Sequence, residues 1–129
     1  MPQSNSMDRI LIADDSPTIR RMMIASLRSL PDVEIEEAGS GLEAVERLAL
    51  GPVSMLFLDL NMPDIHGIEV IQFVRSHKTF AGIPICVVTT RGDDESRKMA
   101  LAAGADVYLT KPFSPEQLAE QAAKLLSRN

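Results

Sequence analysis

The sequence predicts an α/β protein: a single-domain, three-layer sandwich with a five-stranded parallel sheet between two layers of helices, five in all. Two observations predict it. Short β-rich runs alternate with helical patterns five times along the chain, and the inner runs are continuously apolar. Strands of that kind are buried on both faces, which requires helices above and below a parallel sheet. Right-handed crossovers put them there. A length of 129 residues suits one hydrophobic core.

The elements follow in order. "RILIADD" (9–15) is a short strand ending in acids. Ser16-Pro17 supplies a helix N-cap and a proline at the first helical position. Ile19, Met22, Met23, Leu27 and Leu30 then recur at helical spacing, until Pro31 stops the helix. "VEIEE" (33–37) alternates as a strand near a sheet edge does. "AGSG" (38–41) turns the chain into the helix "LEAVERLAL" (42–50), which Gly51-Pro52 breaks. The third strand is "VSMLFLD" (53–59), and its loop runs to Gly67. "IEVIQFVRS" (68–76) carries Ile68, Ile71 and Val74 on one stripe. "IPICVVTT" (83–90) is a fully apolar fourth strand.

"DDESRKMALAAG" (93–104) reads as a helix with acids in its first turn, a thin apolar stripe of Met99 and Leu101, and Gly104 as its C-cap. "ADVYLT" (105–110) is the fifth strand. "SPEQLAEQAAKLL" (114–126) opens on a second Ser-Pro pair and turns Leu118, Ala122, Leu125 and Leu126 inward. Residues 1–7 are expected to be a flexible N-terminal tail and residues 8–127 the domain.

Composition narrows the function classes. Hydrophobic residues make up 45% and charged residues 24%, as in ordinary globular proteins, and the net charge of -5 argues against direct nucleic-acid binding. The N-terminus lacks the apolar core of a signal peptide, and no run approaches membrane-spanning length. A single cysteine, Cys86, lies in an apolar strand; it reads as a small buried hydrophobe rather than a nucleophile and suits a reducing compartment. A cytoplasmic location is expected, with no membrane contact.

The chemistry gathers at one rim. In open parallel sheets the ligand site lies beyond the carboxyl ends of the strands. There the first strand ends in Asp14-Asp15, the third in Asp59, the fourth in Thr89-Thr90 and the fifth in Thr110-Lys111. Two carboxylates about 4 Å apart repel by roughly 4 kcal/mol at an effective dielectric near 20. One lysine cannot neutralise three acids, so the set calls for a cation or a raised pKa. Hard oxygen ligands with room for water favour Mg²⁺. Simple helix capping could occupy one acid of the adjacent pair, but hardly both while they face a third. A carboxylate beside a cation, an ammonium and a hydroxyl can attack a phosphoryl group and become an aspartyl phosphate. Asp59, at the end of the central strand, is the candidate nucleophile; Asp14 and Asp15 would hold the metal.

These motifs resemble the receiver domain of two-component response regulators: "DD" after strand one, "DLNMPDIHG" after strand three, "VVTT" closing strand four and "YLTKPF" closing strand five. The likeness runs from about Arg9 to Leu126, and its short single-domain format is similar to that of the chemotaxis receivers. The resemblance implies a flavodoxin-like sheet of order 2-1-3-4-5. It implies that Asp59 accepts a phosphoryl group from a sensor histidine kinase or phosphotransfer protein, and that Asp14, Asp15, Asp59 and the backbone carbonyl of Asn61 hold Mg²⁺. Thr89 and Lys111 would contact the phosphoryl oxygens, Pro112 would follow a cis peptide, and Tyr108 would follow Thr89 as an aromatic switch or serve only in packing. The output would be a downstream protein, engaged through the fourth helix, fifth strand and fifth helix, by a monomer.

Two places depart from the commonest pattern of that family. His66 stands where an acid often precedes the glycine, and is expected to be a solvated loop residue. Thr90 is bulkier than the frequent alanine. Rival chemistries fit less well. A haloacid-dehalogenase-type phosphatase wants a second aspartate two residues after the nucleophile, where this chain has Asn61. A flavin carrier wants a Ser/Thr- and Gly-rich phosphate loop after strand one, where "DDSPT" would repel phosphate without a metal.

Overall fold

The computed structural model describes residues 7–127. The expected N-terminal tail therefore lies outside the described residues, apart from Met7. Ten elements alternate: β1 (Asp8–Ala13), α1 (Pro17–Leu27), β2 (Val33–Ala38), α2 (Gly41–Leu50), β3 (Met55–Leu58), α3 (Gly67–Ser76), β4 (Ile85–Thr89), α4 (Asp94–Ala103), β5 (Val107–Thr110) and α5 (Pro115–Leu126). The strands form one parallel sheet in the order β2-β1-β3-β4-β5. Both the three-layer class and the strand order match expectation.

The period-2 alternation of the strands divides the core in two. Leu11, Leu56, Leu58, Ile85 and Val87 face α2, α3 and α4, where they meet Ala44, Leu48, Val70, Ile71, Val74 and Ala100. Ile10, Ile12, Met55, Phe57, Cys86 and Val88 face α1 and α5, and meet Met23, Leu27, Leu118, Ala122 and Leu125. The alternating charges of β2 suit its edge position: Glu34 and Glu36 reach Arg9, and Glu37 reaches Arg20.

Helix starts follow the capping residues. Ser16 accepts from the Ile19 N–H and Ser114 from the Gln117 N–H, each ahead of a proline in the first turn. Gly104 ends α4 with φ +126°, a conformation open to glycine, and a Cβ there would stand 2.7 Å from Arg75 Cγ.

Some expectations need correction. β3 is shorter than residues 53–59, although the Asp59 N–H still bonds to the Ala13 carbonyl at 2.9 Å. Helix α1 ends at Leu27, so Leu30 packs from the turn beyond it, and Met22 lies on the outer face. The stripe expected to dock α4 points outward: Met99 is 54% and Leu101 36% exposed. Ser96 and Ala100, one turn apart, face the sheet instead. Small side chains let α4 lie close, and the longer residues are rotated off that contact. No helix among the described residues is long and apolar enough to cross a membrane.

Candidate functional site

The site is assembled by chain ends that leave the sheet on one side. Asp14 follows β1, and its N–H bonds to the Ala38 carbonyl of β2 at 3.0 Å. Its Oδ1 accepts the Ser16 N–H at 2.9 Å, so this acid does organise the turn into α1. Its Oδ2 accepts from Lys111 Nζ at 2.7 Å. Asp59 follows β3 and is only 5% exposed; its Oδ1 accepts the Asn61 N–H at 3.3 Å and its Oδ2 lies 3.4 Å from Lys111 Nζ. One ammonium thus bridges two buried carboxylates.

Asp15 completes the cluster from an exposed position. Asp14, Asp15 and Asp59 each offer an oxygen, and these atoms all lie within 4.8 Å of one another. Burial pushes the Asp59 carboxyl above the ordinary carboxylate range. Lys111 opposes that shift, Asp14 adds to it, and hydrogen bonds from the Asn61 N–H and from Thr89 oppose it. Burial wins. Three hard oxygen donors with one lysine leave excess negative charge, and that donor set fits a hard divalent cation with water in its remaining positions.

Thr89 ends β4, fully buried, with Asn61 Nδ2 at 3.5 Å and the Arg91 N–H at 3.4 Å directed at its Oγ1. Lys111 is anchored through its N–H to the Thr89 carbonyl at 2.7 Å, and the Lys111–Pro112 peptide is cis. Tyr108 is turned inward, and its hydroxyl donates to the Arg91 carbonyl. A contiguous polar route therefore runs from Asp59 through Asn61 and Thr89 to Arg91 and Tyr108. Every site residue expected from the sequence lies at or beside this rim.

Two contributions had no sequence signal. Arg20, on α1, donates through Nη1 to the Asp14 carbonyl at 2.6 Å and through Nε to Glu37 at 2.8 Å, tying the acidic turn to the end of β2. His66 is exposed, as expected, but it also caps α3: its Nδ1 accepts the Ile68 N–H at 3.1 Å.

The fold and the acidic rim define a class of signalling protein, and comparison with known families agrees. Residues 10–123 match the response regulator receiver domain family, and the chain belongs to that family. Within it the chain is CheY-like. It is 38% identical over 122 residues to the chemotaxis protein CheY1 of Helicobacter pylori, covering 94% of this chain and 98% of that protein. A chemotaxis protein CheY homologue of Campylobacter jejuni is 37% identical over 119 residues, covering 92% of each. Among solved structures, the chemotaxis response regulator CheY4 of Vibrio cholerae superposes with a TM-score of 0.85 at 32% identity, over 93% of this chain and 99% of that one. A putative response regulator from Chloroflexus aurantiacus gives 0.89 at 32% identity, over 95% and 100%.

Proposed function

We propose that residues 8–127 act as a phosphoryl-accepting switch of a two-component system, with Asp59 as the acceptor. The observation that carries this reading is the cluster of Asp14, Asp15 and Asp59, with Lys111 bridging Asp14 and Asp59, beside the Thr89 hydroxyl. In the transfer, an Asp59 carboxylate oxygen forms a bond to phosphorus as the phosphorus–nitrogen bond of a phosphohistidine breaks. The donor is a sensor histidine kinase or a phosphotransfer protein. Mg²⁺, held by Asp14, Asp15, Asp59 and the Asn61 carbonyl, would neutralise charge on the phosphoryl oxygens.

The chain's own groups do the rest. Lys111, already 3.4 Å from Asp59 Oδ2, pairs with the added oxygens. The modification adds about -2 charge and strong acceptors. Thr89 turns its hydroxyl toward them and leaves its bonds with Asn61 and the Arg91 N–H. Arg91 is also the partner of the Tyr108 hydroxyl, so the aromatic ring follows. The face formed by α4, β5 and α5 carries that change to a downstream protein. The names of the matched relatives favour a chemotaxis target. The protein works as a cytoplasmic monomer, and the chemistry it performs is its own phosphorylation and dephosphorylation.

Incubation with acetyl phosphate and Mg²⁺, read by intact mass, tests the acceptor. Wild type is expected to gain one phosphoryl group and Asp59→Asn none. A gain that persists in Asp59→Asn removes Asp59 from the role. Unchanged amide exchange across residues 93–126 on binding a phosphoryl mimic would remove the output face.

A further inference from the structure

The start of α2 is held by a residue from another loop. A helix leaves its first N–H groups without intrahelical partners. Here Ser40 Oγ accepts the Glu43 N–H at 3.1 Å, as a local N-cap does, and Glu43 Oε1 accepts the Gly39 N–H at 2.6 Å. The Gly41 and Leu42 N–H groups donate instead to Asp64, at 2.9 Å to Oδ1 and 2.9 Å to Oδ2. Asp64 lies in the β3–α3 loop, more than twenty residues away in sequence.

That loop carries Asn61 and closes on itself. The Gly67 N–H bonds to the Leu60 carbonyl at 3.0 Å, and a Cβ at Gly67 would stand 2.6 Å from Leu60 Cα. Its middle rests on α2, where a Cβ at Gly41 would stand 2.7 Å from Ile65 Cβ. Leu60 and Met62 are buried, whereas Asn61, Pro63, Asp64 and His66 are exposed. Asp64 is therefore the polar tie that holds the exposed half of the loop against a rigid element. Its carboxyl is kept below the usual range chiefly by the Leu42 and Gly41 N–H groups, so it is an ionised acceptor at neutral pH.

We propose that Asp64 is a positioning residue: by clamping the β3–α3 loop to the start of α2 it presets the Asn61 backbone carbonyl for a divalent cation. This rests on the reading above that Asn61 contributes to the metal shell. Helix α2 keeps its Ser40 cap without Asp64, so the clamp serves the loop more than the helix. Groups that orient ligands from outside the coordination shell typically change metal affinity about 10- to 100-fold.

The test uses the full chain and three variants, Asp64→Ala, Asp64→Asn and Ser40→Ala. Mg²⁺ affinity is measured by calorimetric titration, and amide exchange of residues 60–67 is followed in metal-free buffer. Asp64→Ala is expected to weaken Mg²⁺ about 10-fold and speed exchange in the loop. Asp64→Asn keeps one acceptor and should fall between it and wild type. Ser40→Ala removes a cap from the same helix without touching the loop, so it should stay within about 2-fold of wild type. Wild-type affinity in Asp64→Ala overturns the proposal, as does an equal loss in Ser40→Ala. An equal loss in both Asp64 variants that vanishes at high salt also overturns it, because remote charge would then be the cause. Failure of wild type to bind Mg²⁺ would instead overturn the metal reading, while the exchange data still judge the clamp.

Discussion

The Asp59 carboxyl sits where the fold does not want a charge, so Asp59→Asn is expected to stabilise the metal-free protein. Asp14 and Asp15 offer oxygens within 4.8 Å, and at an effective dielectric near 20 each such pair repels by at least about 3.5 kcal/mol. Asp15 is exposed, and water screens its share by roughly half. Lys111 at 3.4 Å attracts by about 5 kcal/mol on the same scale. Coulomb forces alone thus nearly cancel. Desolvation of a carboxylate that is 5% exposed then decides the sign, in agreement with the upward shift of its pKa. Asparagine keeps an oxygen for the Asn61 N–H and leaves Lys111 to Asp14. The expected gain is about 1–2 kcal/mol at pH 7, a rise in Tm of roughly 3–8 °C for a domain of this size.

The pH dependence follows from the direction of the shift. Because the native carboxyl binds its proton more readily than the unfolded chain does, its cost is absent below the unfolded value of about 3.9. The cost grows as pH rises through the elevated native value. The advantage of the asparagine variant should therefore shrink on acidification from pH 7 toward pH 4. The chain has no tryptophan, so far-UV circular dichroism melts in EDTA are the suitable assay. Magnesium should raise the Tm of wild type more than that of the variant, as ligand linkage requires. An asparagine variant no more stable than wild type at pH 7, or a gap that ignores pH, would refute the charge balance argued here.

Two further outcomes probe parts of the molecule away from the acids. Arg75 donates to the carbonyls of Gly104, Ala81 and Ile83 at 2.6–3.0 Å and pairs with Asp106 at 3.0 Å; Arg75→Ala should cost about 3 kcal/mol, some 10 °C in Tm. Arg75→Lys should recover only a small part, since one ammonium cannot span those acceptors; a lysine variant that melts with wild type would contradict the fork. Burial, with a smaller contribution from Asp106, pushes the Cys86 thiol up to about 12. Alkylation at pH 8 should then run roughly a thousandfold slower in the native protein than in urea, and equal rates by mass spectrometry would disprove its sequestration.

What the sequence discloses and what it withholds divide along physical lines. Ser16-Pro17 and Ser114-Pro115 mark helix starts because an N-cap and its proline are neighbours in the chain. The inner strands are legible because burial on both faces leaves only apolar residues. The rim residues are legible because strand ends point to one side once the strands are known to be parallel. Strand order is not encoded in any local pattern and came from the family likeness. The contacts of Arg20 with the Asp14 carbonyl, and of Asp64 with two N–H groups of α2, join backbone to side chain across loops. Such bonds leave no periodicity. The outward turn of Met99 and Leu101 was hidden because apolar residues suggest a core face, whereas close packing of α4 selected Ser96 and Ala100.

That difference in docking bears on which element can respond to the site. Helix α5 buries Leu118, Ala122 and Leu125, and each leucine contributes about 1.5–3 kcal/mol of burial. Helix α4 buries Ser96 and Ala100, with Ala103 partly buried against the core, and no side chain larger than these. On the proposed switch, a phosphoryl group at Asp59 that redirects Thr89 and Lys111 would have a few kcal/mol of differential interaction to apply. That would be too little to lift α5 from the sheet, whereas α4, without a buried leucine, is the easier of the two to move. The residues between the site and α4 are bonded in series: Arg91 donates to Thr89, accepts from Tyr108, and lies two positions before Asp93, the α4 N-cap. A change at Thr89 would therefore reach α4, the helix with the smallest buried side chains, at its first turn. On the proposed switch, a small bias in free energy there would become a shift between two packings, and Met99 and Leu101 face outward where a partner would sense it.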